Sequence, residues 1–304
     1  MKRLILVYNP NSSQYIHVRG EFLPRATKVK GYLIGKFTIK KAPFEDNVKS
    51  LKEFLRDGDT VIAAGGDATA AVCVNAILES EKDVVLGVLP YGNFNDLART
   101  LGTMRYEDIF PLDSSKVKKL YPLDIVVDGK HWRYASCYVT MGMTAEAVEL
   151  FDDPKFRKKM QRGHRSSWRS YLALVKWFFR YHHSHQFISP YHINGVASPK
   201  GVSDYCALSG RSMCRIMKGG DDYLKPRVFR SLSRDLTGFW SISGLMLRAI
   251  FSRTPGSETE GDTIVFDEPA TIKLQAEGEY QTFKNIKKLE VSKPKSKYLK
   301  VIHI

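Results

Sequence analysis

Short apolar runs alternate with helix-like segments along the first 120 residues of the chain. Three of these runs, at 5–8, 60–64 and 84–89, consist mostly of β-branched or other apolar residues and end at asparagine, glycine or proline. Runs of this length and composition predict buried strands. The segment 70–78 follows the second run and predicts a helix, because it offers several apolar residues for packing. Alternating strands and helices predict an open α/β sheet.

The pattern changes to strands after Tyr121. The predicted strands are 123–127, 132–140, 186–194, 204–208, 263–266, 270–276 and 289–291. The fold class is therefore predicted as α/β, with an N-terminal α/β domain at 1–122 and a β-rich, β-sandwich-like second domain at 123–304. The last strand, 299–304, is expected to return and pack on the first domain.

Each of the three early strands ends in a loop of small and polar residues. The loops are Asn9-Pro10-Asn11-Ser12-Ser13, Gly65-Gly66-Asp67-Ala68-Thr69 and Tyr91-Gly92-Asn93-Phe94-Asn95-Asp96. Glycines allow a backbone to approach an anion closely, and the N-terminus of a following helix attracts phosphate. Three such loops at the carboxyl ends of strands predict a ligand site at that edge of the sheet. Asp67 is placed to meet a metal or a hydroxyl, and Asp96 is predicted to cap a helix that begins at Leu97.

Charge is concentrated in the middle of the chain. The net charge is +15, and no Asp or Glu occurs between Asp153 and Asp204. The segment 155–180 combines nine Lys and Arg residues with aromatic residues at helical spacing, which is typical of a helix that meets an anionic membrane surface. Packing of its apolar side into a core is the alternative. Nucleic acid is not expected as a partner, because no nucleic-acid-binding motif is present.

Cysteine usage and the N-terminus predict a cytoplasmic protein. The four cysteines have no close pairing, which favours reduced thiols. The apolar run after Met1 stops at Pro10, so a signal peptide is not expected, and no segment is long and apolar enough to predict a membrane span.

The loops resemble those of the diacylglycerol kinase catalytic-domain family, which includes bacterial lipid kinases and sphingosine kinases. That family carries Asn-Pro-x-Ser-Gly, Gly-Gly-Asp-Gly-Thr, Pro-x-Gly-Thr-x-Asn-Asp-x-Ala-Arg and a late Asp-Gly-Glu. The chain offers the three loops above, with the third running from Pro90 to Arg99, and Glu277-Gly278-Glu279 near its end. Leu123-Asp124, Met141-Gly142-Met143 and Gly219-Gly220 fit later family landmarks in the same order.

The resemblance implies an ATP- and Mg²⁺-dependent lipid kinase that phosphorylates a hydroxyl of a membrane lipid, within phospholipid metabolism. It implies a cytoplasmic protein peripheral to the inner face of the membrane, and it allows a homodimer. Glu277 is the implied general base, with Glu279 as the alternative, and Asp67 is the implied third catalytic residue. The implied nucleotide-binding residues are Asn9, Asn11, Ser12, Ser13, Thr38, Gly65, Gly66, Asp67, Ala68, Thr69, Gly92, Asn93, Asn95 and Asp96.

Several positions depart from the family pattern. Ala68 and Ser13 replace glycines, Asn93 replaces a threonine, and Glu277 is one methylene longer than the family aspartate. The family's Asp-Asp-Gly segment, which is tied to a structural metal site, is not visible, so no metal ligands are predicted. Two other functions therefore stay open. One is a weakly active or inactive relative that binds lipid or nucleotide as a regulator, and the other is an enzyme similar to NAD kinases.

Overall fold

The structure, a computed structural model, describes residues 2–147, 172, 175–177, 190–198, 204–214, 217–234, 240, 243–244 and 256–304. The chain divides into two compact units. The first consists of Met1–Pro122 together with Lys295–Ile304, and the second of Leu123–Pro294.

The first unit is an α/β sheet with helices. Its strands are β1 (Lys2–Tyr8), β2 (Tyr32–Thr38), β3 (Thr60–Gly65), β4 (Val85–Pro90), β5 (Val117–Leu120) and, from the C-terminus, β18 (Leu299–Ile302). Its α-helices are α1 (Tyr15–His17), α2 (Leu23–Ala26), α3 (Phe44–Phe54), α4 (Asp67–Ser80), α5 (Asp96–Leu101) and α6 (Tyr106–Ile109), with a π-helical turn at Val18–Phe22 and a 3-10 turn at Ser114–Lys116.

The six strands lie in the order β2-β1-β3-β4-β18-β5. All neighbours are parallel except β18 and β5, which are antiparallel. The interior of β1, at 4–7, is fully buried, as expected where both faces of a parallel sheet are covered. Helix α4 is buried at every position from Thr69 to Leu78, so it packs as a core helix rather than a surface helix.

The second unit is antiparallel and β-rich. Its strands are β6 (Leu123–Val127), β7 (Lys130–Ala135), β8 (Tyr138–Gly142), β9 (Tyr191–Ile193), β10 (Val196–Ala197), β11 (Asp204–Leu208), β12 (Ser212–Met213), β13 (Met217–Lys218), β14 (Phe229–Arg234), β15 (Ser257–Thr259), β16 (Gly261–Ala276) and β17 (Glu279–Ser292). It also has helix α7 (Met143–Glu146) and a 3-10 turn at Asp222–Leu224. The main sheet runs β15-β14-β11-β8-β16-β17-β6-β7, over a core that includes Ile125, Tyr205 and Leu274.

The predicted fold class, an α/β part followed by a β-rich part, is confirmed. Some strand predictions were wrong in detail. The predicted strand 289–291 is only part of the longer strand β17. The predicted strand 132–140 is divided into β7 and β8, because β7 pairs with β6 whereas β8 pairs with β11 and β16. The two predicted strands 263–266 and 270–276 form one long strand, β16, whose pairing with β17 is irregular between Val265 and Ile272.

No helix within the described part of the chain has both the length and the apolar composition that a membrane crossing requires. The basic segment 155–180 lies outside the described residues, apart from 172 and 175–177.

Candidate active site

The polar loops of the first unit meet at one edge of the parallel sheet. In the register of the strands, Tyr8 at the end of β1 pairs with Thr38 of β2 and with Ala64 of β3. Gly65, the last residue of β3, pairs with Pro90 of β4. The strands therefore end in line, and the residues that follow them are neighbours in space.

Two glycines from different loops are in close contact there. A Cβ built on Gly66 would lie 3.2 Å from Cα of Gly92, and one built on Gly92 would overlap Cα of Gly66. The backbone of the loop after β3 therefore touches the backbone of the loop after β4, with no space for a side chain on Gly92. The N–H of Tyr91 adds a hydrogen bond of 2.9 Å to the carbonyl oxygen of Gly65.

The carboxylate of Asp67 fastens the same two loops together. Its Oδ2 accepts the backbone N–H of Asn95 at 2.9 Å, and its Oδ1 accepts the backbone N–H of Asp96 at 2.6 Å. Burial raises the pKa of Asp67, and the two backbone N–H groups act in the opposite direction. Asp67 is thus engaged by protein backbone through both oxygens.

Asn95 shapes the loop after β4 from within. Its Oδ1 accepts the N–H of Gly92 at 2.7 Å, and its Nδ2 donates to the carbonyl oxygen of Gly92 at 2.9 Å. Asn95 has a φ of 57° and precedes α5 as its N-cap residue, in a left-handed conformation that asparagine tolerates better than most residues. The prediction that Asp96 caps a helix beginning at Leu97 was wrong, because α5 begins at Asp96 itself.

The loop after β1 joins the cluster through two side chains. Ser13 Oγ donates to Asn93 Oδ1 at 3.0 Å, and Gln14 Nε2 donates to the carbonyl oxygen of Gly92 at 3.1 Å. Ser13 and Asn93, which both depart from the family pattern, are therefore bonded to each other. Within the loop, Asn9 Oδ1 accepts the N–H of Asn11 at 2.8 Å. We name the three segments 9–14, 65–69 and 91–96 the loop cluster.

Ala68 does not strain the loop cluster. It is the second residue of α4 and has a right-handed helical backbone, which alanine favours more than glycine does. Thr69 is buried and packs against Gly65: a Cβ built on Gly65 would lie only 2.6 Å from the Cβ of Thr69. The backbone at position 68 therefore does not require glycine.

Glu277 is a buried residue in a turn of the second unit. It lies between β16 and β17, and both turn residues have positive φ, 53° for Glu277 and 92° for Gly278. Its side chain is 3% exposed, and its Oε1 accepts hydrogen bonds from Ser136 Oγ at 2.5 Å and from the N–H of Cys137 at 2.5 Å. Glu279, the alternative base, is the first residue of β17 and only partly buried.

Two of these contacts involve residues that no sequence motif indicated. Gln14 directly follows the polar loop after β1 but belongs to no motif, and Ser136 lies inside an apolar run that was predicted to be one strand.

Thr38 ends β2 in the line of strand ends and is exposed. No group of three His, Cys, Asp or Glu side chains that could hold a metal ion occurs among the described residues.

Comparison with known proteins agrees with the loop pattern. Residues 3–126 match the family model described as the diacylglycerol kinase catalytic domain. The predicted resemblance to the diacylglycerol kinase catalytic-domain family is confirmed. The matched stretch contains the whole loop cluster and ends just after the start of the second unit.

Two relatives are similar to part of the chain. The chain is 33% identical over 145 residues to a diacylglycerol kinase of Bacillus subtilis (strain 168), which covers 43% of this chain and 46% of that protein. It is 30% identical over 130 residues to a diacylglycerol kinase of Staphylococcus carnosus (strain TM300), covering 42% of this chain and 38% of that protein. The alignments therefore span less than half the length of these two relatives.

A crystal structure of a diacylglycerol kinase from Bacillus anthracis str. Sterne shares the fold. It has a TM-score of 0.66 and 16% sequence identity, and the match covers 99% of this chain and 97% of that one.

Proposed function

We propose that this chain is a lipid kinase that transfers the γ-phosphoryl group of ATP to a hydroxyl of a membrane lipid. The observation that carries the proposal is the loop cluster, which joins three strand ends at the N-terminus of α4 within the stretch that matches the diacylglycerol kinase family. Phosphoryl transfer depends mainly on alignment of the reacting groups and on charge neutralisation. Loops that are held together by hydrogen bonds would keep the bound phosphates aligned.

ATP phosphates would bind the N–H groups at the start of α4. The first turn of a helix has no intrahelical partners for its N–H groups, and its dipole end favours anions. Gly66 and Gly92 keep this place free of side chains. Asn9, Asn11 and Thr38 lie on or next to the line of strand ends and remain our candidates for contacts to the nucleotide. Asn95 acts instead through the loop that it shapes.

Magnesium fits this site as an ion carried by the nucleotide. Proteins commonly hold Mg²⁺ through one or two carboxylates together with substrate phosphates, and Asp67 and Asp96 are the carboxylates of the loop cluster. When bound, the ion would neutralise phosphate charge. Asp67 also has a task of its own, because it holds the loop after β4 in place.

Glu277 is our candidate for the general base. In the reaction, the lipid hydroxyl oxygen bonds to the γ-phosphorus, the bond to the β,γ-bridging oxygen breaks, and ADP leaves. The hydroxyl proton passes to the Glu277 carboxylate. A glutamate at positive φ is an uncommon conformation, and such conformations concentrate at functional sites. This supports Glu277 over Glu279, which lies in regular strand.

The partners follow from the same proposal. The substrate is a membrane lipid that carries a free hydroxyl, of the diacylglycerol or sphingoid type. The basic segment 155–180 would bind the anionic surface in which that lipid lies. Membrane binding of this kind would place the protein at the inner face of the membrane.

Transfer of labelled phosphate tests the proposal. Purified protein is incubated with γ-labelled ATP and Mg²⁺ in mixed micelles that each contain diacylglycerol, a sphingoid base, phosphatidylglycerol or no acceptor. We expect label in one hydroxylated lipid and none without an acceptor. Protein that binds ATP but labels no lipid would contradict the kinase and favour a regulator. Label in NAD, supplied as a soluble acceptor, would favour the NAD kinase-like alternative.

A further inference from the structure

We propose that Ser136 is a positioning residue that orients the Glu277 carboxylate for its role as general base. The inference rests on the proposed function, since it concerns the residue that would accept the hydroxyl proton. Ser136 belongs to none of the family motifs in the sequence and lies where β7 ends and β8 begins.

Two donors from one short segment meet the same oxygen of Glu277. Ser136 Oγ and the N–H of Cys137 both bond to Oε1 at 2.5 Å. Hydrogen bonds to an ionised acceptor are short and stronger than neutral ones. The two bonds together fix the position of Oε1 and so orient the whole carboxylate.

The strand pairing explains why these residues meet. Val139, near the start of β8, pairs with Ala276 at the end of β16. The break between β7 and β8 therefore lies beside the turn that contains Glu277. An uninterrupted strand would have placed the N–H of Cys137 in a ladder rather than on the carboxylate.

The Glu277-Gly278 turn does not by itself fix the orientation of the Glu277 side chain. Glu277 and Gly278 both have positive φ, as in the two-residue hairpin turns that prefer asparagine or aspartate followed by glycine. The longer glutamate side chain has one more rotatable bond than aspartate. The hydroxyl of Ser136 restricts that freedom, so it compensates for the extra methylene by which Glu277 departs from the family.

Of the two donors, the hydroxyl of Ser136 is the one that a substitution can remove. Cys137 donates through its backbone, which every residue type except proline retains. Ser136→Ala deletes one bond to Oε1 and keeps the other. Ser209 offers a matched control, since it is equally buried, its N–H bonds to the carbonyl oxygen of Cys137, and its hydroxyl has no hydrogen-bond partner among the described residues.

Steady-state kinetics on wild type, Ser136→Ala, Ser136→Thr and Ser209→Ala test the inference, with whichever lipid of the panel above accepts label as the acceptor. We expect Ser136→Ala to lower kcat roughly 10- to 100-fold while KM for ATP stays within about twofold, because orientation of a reacting group is lost and nucleotide binding is not. Ser136→Thr keeps the hydroxyl and should recover much of kcat. Ser209→Ala should match wild type, and thermal unfolding should show that all four proteins are folded.

The possible results distinguish the proposed kinase activity from the proposed role of Ser136. Wild-type protein without turnover overturns the kinase proposal and the role of Ser136 with it. An active wild type with Ser136→Ala at the same kcat overturns only the role of Ser136. An equal loss of kcat in Ser136→Ala and Ser209→Ala also overturns that role, and so does a loss of kcat that follows the melting temperature. Either result would indicate that the substitution acts by disturbing packing.

Discussion

Gly66 and Gly92 touch backbone to backbone at the N-terminus of α4, although they lie in loops that follow different strands. Gly92 is required by this contact, since a methyl group there would overlap Cα of Gly66, whereas a methyl group on Gly66 would make a tight contact of 3.2 Å with Cα of Gly92. The contact holds the backbone of two loops beside the N–H groups that would bind phosphate. It is the structural basis for placing the nucleotide here.

Gly92→Ala should therefore separate the two loops. We expect ATP affinity to fall at least about tenfold and the free energy of unfolding to fall by about 1–3 kcal/mol, the usual cost of forcing a methyl group into a closed contact. Titration calorimetry and denaturant unfolding measure both quantities. Gly20→Ala is the matched control, because a Cβ at Gly20 would meet no atom within 4 Å. Wild-type affinity in Gly92→Ala would contradict the proposed phosphate site.

Asp67→Asn should destabilise the protein even without nucleotide. The substituted side chain would turn an N–H₂ group toward a backbone N–H of Asn95 or Asp96, where the carboxylate now accepts. An unmade bond of this kind typically costs about 1–3 kcal/mol. Unfolding of nucleotide-free protein in EDTA measures the loss, with exposed Asp46→Asn as control. Unchanged stability in EDTA would show that Asp67 acts only through a metal or substrate.

Ser13 and Asn93 should behave as an energetically coupled pair. Ser13→Gly and Asn93→Thr each restore the residue of the family pattern and each break the hydrogen bond between the two loops. We expect the double variant to lose less ATP affinity than the sum of the single variants, with a coupling energy of about 0.5–1.5 kcal/mol. Additive effects in this double-mutant cycle would show that the two departures are independent.

Lys293 should give the second unit a pH-dependent stability. It is 1% exposed and donates to the carbonyl oxygens of Asp222 and Val228, and burial lowers the pKa of Lys293 from 10.5 to about 7. Between these two values the unfolded chain holds a proton that the folded chain lacks, so the free energy of unfolding rises with pH. The slope for one proton approaches about 1.4 kcal/mol per pH unit.

Denaturant unfolding of wild type and Lys293→Met from pH 7 to 10 isolates this contribution. The stability of wild type relative to the variant should increase with pH across the range. Exposed Lys295→Met should leave the slope unchanged. If the free energy of unfolding changed with pH equally in wild type and Lys293→Met, that result would contradict a lowered pKa of Lys293.

The sequence predicted those elements whose residues form a local pattern. The strands at 123–127 and 204–208 were predicted with the bounds of β6 and β11, because turn residues or charge bound each apolar run. The helix after Gly66 was predicted, although it begins earlier and ends later than expected. The three loops were expected at one edge because the carboxyl ends of parallel strands meet there.

Local sequence patterns could not predict contacts between residues that are far apart in the chain. Asp67 looks like a metal or substrate ligand in its motif, and its bonds to Asn95 and Asp96 depend on partners 28 and 29 residues away. The division between β7 and β8 was missed because apolar residues continue through it. The support of Glu277 by Ser136, across 141 residues, depends on which strands are neighbours in the second unit.

Phosphate transfer by Glu277→Gln tests whether Glu277 is the general base of a lipid kinase. The variant keeps the shape of the side chain and removes its ability to take a proton, and Glu279→Gln removes a second carboxylate two residues away. We expect Glu277→Gln to lose lipid phosphorylation by at least about 100-fold, with ATP affinity within about twofold of wild type, while Glu279→Gln stays within about tenfold of wild-type turnover. Wild-type turnover in Glu277→Gln, or loss confined to Glu279→Gln, would contradict the assignment of Glu277 as the base.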